Sequence, residues 1–92
     1  MALLFPLLFS AAVSAENCFV EEEIAMYIMT ARQSGVTKEA AMHQSNGIKI
    51  HELYVDFAYD KMPYHQEMKK KQESVAEFKK MIYLACVNRA KP

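Results

Sequence analysis

Apolar residues along the chain recur at Val20, Ile24, Tyr27, Ile28 and Ala31. That is the spacing of one face of a helix turning every 3.6 residues. Asn17 supplies a side chain able to cap the helix start, and Glu21, Glu22 and Glu23 place carboxylates near its positive end. Gly35 can adopt the left-handed conformation that ends a helix, with Val36 positioned to fold back onto the last turn. Thr37 then caps a second, short helix from Lys38 to about Ser45, which Asn46-Gly47 terminates.

The stretch from Ile48 to Tyr59 carries two patterns at once. Ile50, Leu53, Tyr54 and Phe57 fit a helical stripe, while Leu53, Val55, Phe57 and Tyr59 alternate as in a strand. A single strand has no partner in this chain, so a helix is the consistent reading, and Pro63 breaks it. From Tyr64 to Gln72 the chain is polar and includes Lys69-Lys70-Lys71, as expected of a solvated turn or short exposed helix. Ser74-Val75-Ala76-Glu77 has the form of a capping box and predicts the start of the last helix, with Val75, Phe78, Ile82, Ala85 and Cys86 on one face.

The pattern therefore predicts an all-α fold. Its first fifteen residues stand apart, because Leu3 to Phe9 form an apolar run interrupted only by Pro6 and are followed by Val13-Ser14-Ala15. Small side chains at that spacing suit signal-peptidase cleavage, and the run is shorter than the roughly 20 residues a bilayer span needs. Residues 1–15 are read as a cleaved signal peptide and residues 16–92 as a single helical domain, periplasmic or secreted.

Export changes the meaning of the two cysteines. In an oxidising compartment Cys18 and Cys86 are expected to form one structural bridge, closing a loop of about 70 residues and stabilising the fold by about 4 kcal/mol in the chain-entropy model. Such a bond joins the start of the first helix to the end of the last, so the two run antiparallel. The middle helices then complete a three- to four-helix bundle.

From Ile24 to Ala31 the first helix bears no charge, and Phe19, Met26 and Met29 lie off the main stripe. A helix apolar nearly all round is either central or covered by something else. Those three side chains are the candidate partner-binding face.

Charge is unevenly divided. Residues 16–60 hold three basic and eight acidic side chains, and residues 61–92 hold eight basic and three acidic, so the two parts carry −5 and +5. Antiparallel packing brings Glu21 to Glu23 toward Arg89 and Lys91, and Lys69 to Lys71 with Lys79 and Lys80 make a basic cluster suited to an acidic partner or anionic lipid. An exported protein of zero net charge is not expected to bind nucleic acid.

Several chemistries can be weighed against the residues. His51-Glu52-Leu53-Tyr54-Val55 begins like the zinc-protease helix but has Val55 where the second metal-binding histidine belongs. Met62, His65 and Met68 are spaced three apart. On a helix they would share a sector, and two thioethers with an imidazole suit Cu(I), so they are the only weak metal candidates. No nucleophile stands in order with a base, and two glycines provide no phosphate-cradling loop. The expectation is a non-enzymatic exported interaction protein with no cofactor, of inhibitor, immunity or adaptor type. A small-molecule or Cu(I) carrier is the alternative, and the partner is a periplasmic protein or a second copy of the chain.

The arrangement of Cys18, Ile28 to Gly35, Ala58-Tyr59 with Pro63, Phe78 and Ile82 to Cys86 resembles small periplasmic proteins of unknown function from Gram-negative bacteria and their prophages. The resemblance spans most of residues 16–92 and implies helices, a periplasmic address and an end-to-end disulfide, with no activity attached. A weaker likeness is to secretoglobins, carriers of hydrophobic molecules. Cleavage after Ala15 would place cysteines third from the new terminus and near the chain end, as in that family. Secretoglobin bridges join two chains, however, and the family's segment before the final cysteine is longer than Met68 to Cys86.

Intact-mass measurement of protein recovered from the exported fraction checks the processing step. A chain beginning at Glu16 or Val13 is the expected result, and a retained Met1 contradicts it.

Overall fold

The computed structural model describes residues 15–90, with side chains from Asn17 onward, so the proposed signal segment up to Ser14 lies outside the described residues. Four helices follow one another: α1 (Ala15–Gln33), α2 (Lys38–Gln44), α3 (Lys49–Asp60) and α4 (Met68–Ala90). There is no strand among the described residues, and the fold is a small all-α bundle.

The local stop signals behave as their chemistry requires. Gly35 sits at φ 89°. Its N–H donates to the Arg32 carbonyl, while the Val36 N–H reaches back to the Ala31 carbonyl at 3.0 Å. These are the paired bonds of a Schellman ending, which satisfy carbonyls the helix leaves free. The Ala40 N–H donates to Thr37 Oγ1 at 3.1 Å, so Thr37 caps α2. Asn46 at φ 54° and Gly47 at φ 76° turn the chain into α3. The ambiguous stretch is helical from Lys49 onward, after Ile48 in an extended conformation, with Tyr54, Val55 and Ala58 buried on its inner face.

Two starts differ from the expected ones. Asn17 lies inside α1 rather than at its cap. The last helix begins at Met68, and Ser74, expected to cap it, is a buried mid-helix residue. Lys69 to Glu73 contain no breaker and are mostly strong helix formers, so nothing local stops the helix from extending. Tertiary contact then holds the extra turns, because Lys71 Nζ donates to the Gln33 carbonyl at the end of α1.

Helix α1 is the centre of the bundle and packs against each of the other three. Its antiparallel partner α4 is joined to it by the Cys18–Cys86 disulfide, with Cα atoms 5.5 Å apart. Both cysteines are buried. The core unites Ala25 and Met29 of α1, Tyr54 and Ala58 of α3, Met62, and Phe78 and Ile82 of α4. Phe57 and Phe78 stack with ring centroids 6.1 Å apart, which closes the side where α3 approaches α4.

The connection from α3 to α4 is held by the end of α1. Gln33 is buried and uses both ends of its amide: Nε2 donates to the Pro63 carbonyl at 2.8 Å, and Oε1 accepts the His65 N–H at 2.9 Å. Arg32 donates to the Met62 carbonyl and lies over the rings of Tyr59 and Tyr64. Lys71 covers the Tyr64 ring at 4.0 Å. A buried amide paired twice specifies the turn, since an unpaired one would carry a desolvation cost of about 1–3 kcal/mol. On the opposite side, Lys38 bridges Asp56 and Asp60 at 3.1 and 3.0 Å and ties α2 to α3. The hydrogen bonds to Asp60 and then Asp56 hold the Lys38 ammonium above its ordinary pKa.

Replacing Cys86 with Ser is expected to lower unfolding stability by about 2–5 kcal/mol in chemical denaturation, the usual cost of losing the bridge of a small exported domain. Non-reducing electrophoresis of the parent should show a monomer, and a covalent dimer would contradict the intrachain bond.

Candidate binding groove

Of the three α1 side chains expected to be free, Met29 enters the core, and the expected core stripe is divided: Ile24 and Ile28 pack against the core, while Val20 and Tyr27 lie outside. Cys18, Ala25, Met29 and Gln33 are buried, whereas Val20 and Tyr27 are exposed, Tyr27 by 64%. Ile24, Ile28 and Ala31 are half-buried. The reason is the disulfide. Cys18 must face α4, and residues seven, eleven and fifteen positions later share its side of the helix. Met29 is therefore removed from the candidate partner face: it is fully enclosed.

Phe19 and Met26, the other two members, lie beside that buried line on the flank where α1 meets α4. Phe19 is 57% exposed, and its ring stacks on Tyr83 of α4 at 5.3 Å. Met26 is half-buried and sits where two concavities meet. One, of about 320 Å³, is bounded by Phe19, Glu22, Glu23 and Lys79. The other, of about 360 Å³, is bounded by Thr30, Met68, Lys71, Gln72 and Val75. Together they form a groove along the α1–α4 seam, apolar on its floor at Met26, Val75 and Met68 and charged at its rims. Met68, which is 65% exposed, was read from sequence as a metal candidate and takes a place in this groove instead.

The other flank of α1 is polar beneath. The Tyr54 hydroxyl donates to Glu21 Oε1 at 2.6 Å, and His51 Nε2 lies 3.5 Å from Glu21 Oε2. Burial first, and the bond to Glu21 second, push the Tyr54 phenol up to about 12, with Arg89 acting in the opposite direction. Arg89 thus lies close to the Tyr54 hydroxyl, at the end of the bundle that holds Glu21, while Lys91 is outside the described residues. His51 also borders a cleft of about 130 Å³ between α1 and α2. Within the run that begins like the zinc-protease helix, His51 is turned to Glu21. Val55, at the position of the missing zinc ligand, is buried.

The remaining candidates are not assembled. Residues 61–67 form no helix, so Met62, His65 and Met68 do not share a helical sector. Met62 is part of the core, His65 lies in the turn and Met68 opens α4. Among the described residues no group of three or more histidine, cysteine or acidic side chains is placed to hold a metal ion, and no cysteine is free. No helix among them is long and apolar enough to cross a membrane. Comparison with family models, curated proteins and solved structures found no match.

The two methionines separate core from groove. Met29→Gln is expected to cost at least about 2–5 kcal/mol in stability, as it opens a cavity and buries an amide. Met26→Gln should cost less than about 1 kcal/mol, as at a partly exposed position. Thermal and urea unfolding of both variants beside the parent measures the contrast, and equal losses would contradict the groove assignment.

Proposed function

We propose that this chain is an exported, non-enzymatic interaction protein of the inhibitor, immunity or adaptor type, acting in the periplasm or outside the cell through the α1–α4 groove. The observation that carries this reading is Phe19: a large aromatic side chain, more than half exposed, fixed by stacking at the mouth of an apolar groove. Interface energy concentrates in such anchors, because an immobilised ring loses little entropy on binding and buries a large apolar area. Charged rims around an apolar floor suit a protein segment, with the charges setting orientation.

Export rests on the apolar start ending in Val13-Ser14-Ala15 and agrees with the disulfide, which persists in oxidising compartments. The resemblance to small two-cysteine periplasmic proteins points the same way. The bond between Cys18 and Cys86 of one chain is unlike the interchain bridges of secretoglobins. A second reading, carriage of a small apolar molecule, draws on the 360 Å³ concavity at Met26, Val75 and Met68, which is in the size range of small-ligand sites.

The test is capture from an extract of exported proteins by the immobilised, oxidised chain, compared with Phe19→Ser and Met26→Gln. A defined partner retained by the parent and lost from both variants, with unfolding temperatures unchanged, is the expected result. Equal retention by all three chains would overturn the groove as the docking surface. Retention of only an apolar small molecule would replace the protein partner with a ligand.

A further inference from the structure

The cleft between α1 and α2 lies apart from the groove and shares no residue with it. Its apolar lining is laid by Ile24, Ile28 and Ala31, which follow one another along one side of α1, and by Ala41 of α2. Three polar side chains and exposed Tyr27 complete it. Two of the polar groups have committed their protons elsewhere. Ser45 is buried, and its hydroxyl donates to the Ala41 carbonyl at 3.3 Å. His51 Nε2 lies 3.5 Å from Glu21 Oε2, and a carboxylate there favours the tautomer protonated at Nε2. What each has left is a lone pair, on Ser45 Oγ and on His51 Nδ1. The Gln44 amide and the Tyr27 hydroxyl are exposed and can both donate and accept, so they impose no preference. The sheltered polar groups of the cleft therefore call for a donor.

We propose that this cleft binds a neutral single-ring compound bearing one hydrogen-bond donor, of the phenol or benzyl alcohol class. Size sets the ring: the cleft holds about 130 Å³, and apolar protein cavities of about 150 Å³ take up benzene. The donor follows from Ser45 and His51. Neutrality follows from Glu21. An anionic ligand would approach the carboxylate beside His51, while a cation finds both carboxylate oxygens engaged, Oε1 by the Tyr54 hydroxyl and Oε2 by His51. A charge without a partner in so apolar a site is stripped of water with no compensating bond. The Tyr27 ring borders the same space and supplies an aromatic surface for the ligand's ring. The inference is independent of the groove, because the cleft stands on the other flank of α1 whether or not a protein docks at the α1–α4 seam.

Amide chemical shifts of the oxidised, isotope-labelled protein, followed as phenol, toluene, benzoate or benzylamine is added, read both the place and the strength of binding. Phenol should move the amides of residues 24–31 and 41–51 in a saturable way, with a dissociation constant of about 1 mM. Toluene lacks the donor and should bind at least about fivefold more weakly. Benzoate and protonated benzylamine should not saturate in that range. Ser45→Ala and His51→Phe each remove an acceptor and should narrow the gap between phenol and toluene, whereas Tyr27→Ala should weaken both alike. Absence of saturable phenol binding overturns the proposal, and so does toluene or either charged compound binding as tightly as phenol. A gap left unchanged in both acceptor variants overturns it as well. Phenol-induced shifts confined to Met26, Met68 and Val75 would place the ligand in the groove and exclude the cleft. Where an acceptor variant loses its fold by circular dichroism, the ordering of the four compounds on the parent decides.

Discussion

The covalent bond between Cys18 and Cys86 sets the geometry on which every other contact depends. It brings the beginning of α1 and the end of α4 to a Cα separation of 5.5 Å and fixes which way each helix is rotated. On α1 the cysteine's side continues through Ala25, Met29 and Gln33. On α4 it continues back through Ile82, Phe78 and Ser74, all of them buried. Helices with apolar residues on several faces could pack in more than one rotation at similar hydrophobic gain, since burial of apolar area is not directional. A disulfide is directional. One bond removes the alternatives and leaves Phe19, Val20 and Tyr27 outside.

At the far end of the same helix pair, polar contacts do the corresponding work. The Gln33 amide and its backbone carbonyl meet Pro63, His65 and Lys71, so the turn between α3 and α4 is written against the last turn of α1. Each such bond contributes modestly, about 1 kcal/mol net, but leaving the buried amide unpaired would cost more. The chain is thereby pinned at both ends of α1: covalently at Cys18, by hydrogen bonds at Gln33. Helix α4 is thereby held antiparallel alongside α1, and a groove along the seam is the consequence.

What the seam offers follows from the side chains left beside it. A core of this size cannot cover every face of a central helix, and the uncovered part of α1 is largely apolar from Phe19 to Ala31. The stack of Phe19 on Tyr83 turns an exposed ring into an ordered one. Glu22, Glu23 and Lys79 rim one end, and Lys71 the other. By contrast, the Glu21, His51 and Tyr54 cluster on the opposite flank is satisfied within the chain, and its short Tyr54–Glu21 bond reads as a fold contact between α1 and α3.

Helix class, the stops at Gly35 and Asn46-Gly47, the Thr37 cap and the pairing of the only two cysteines were legible from residues alone, because each is decided by local backbone chemistry or by counting. The placement of two candidate groove residues, Phe19 and Met26, off the strongest apolar stripe was legible too. The choice of buried face on α1 was not read from that stripe, although the phase of Cys18 carried it. Met29 and Tyr27 are both apolar, and periodicity ranks stripes by hydrophobicity without knowing where the neighbouring helix lies. The start of α4 at Met68 was likewise supported from elsewhere, by the Gln33 carbonyl holding Lys71, a contact between residues distant in sequence. Local chemistry determined where helices form and end. Only the packed chain decided which of their faces meet, since that depends on a bond and an amide whose partners lie dozens of residues away.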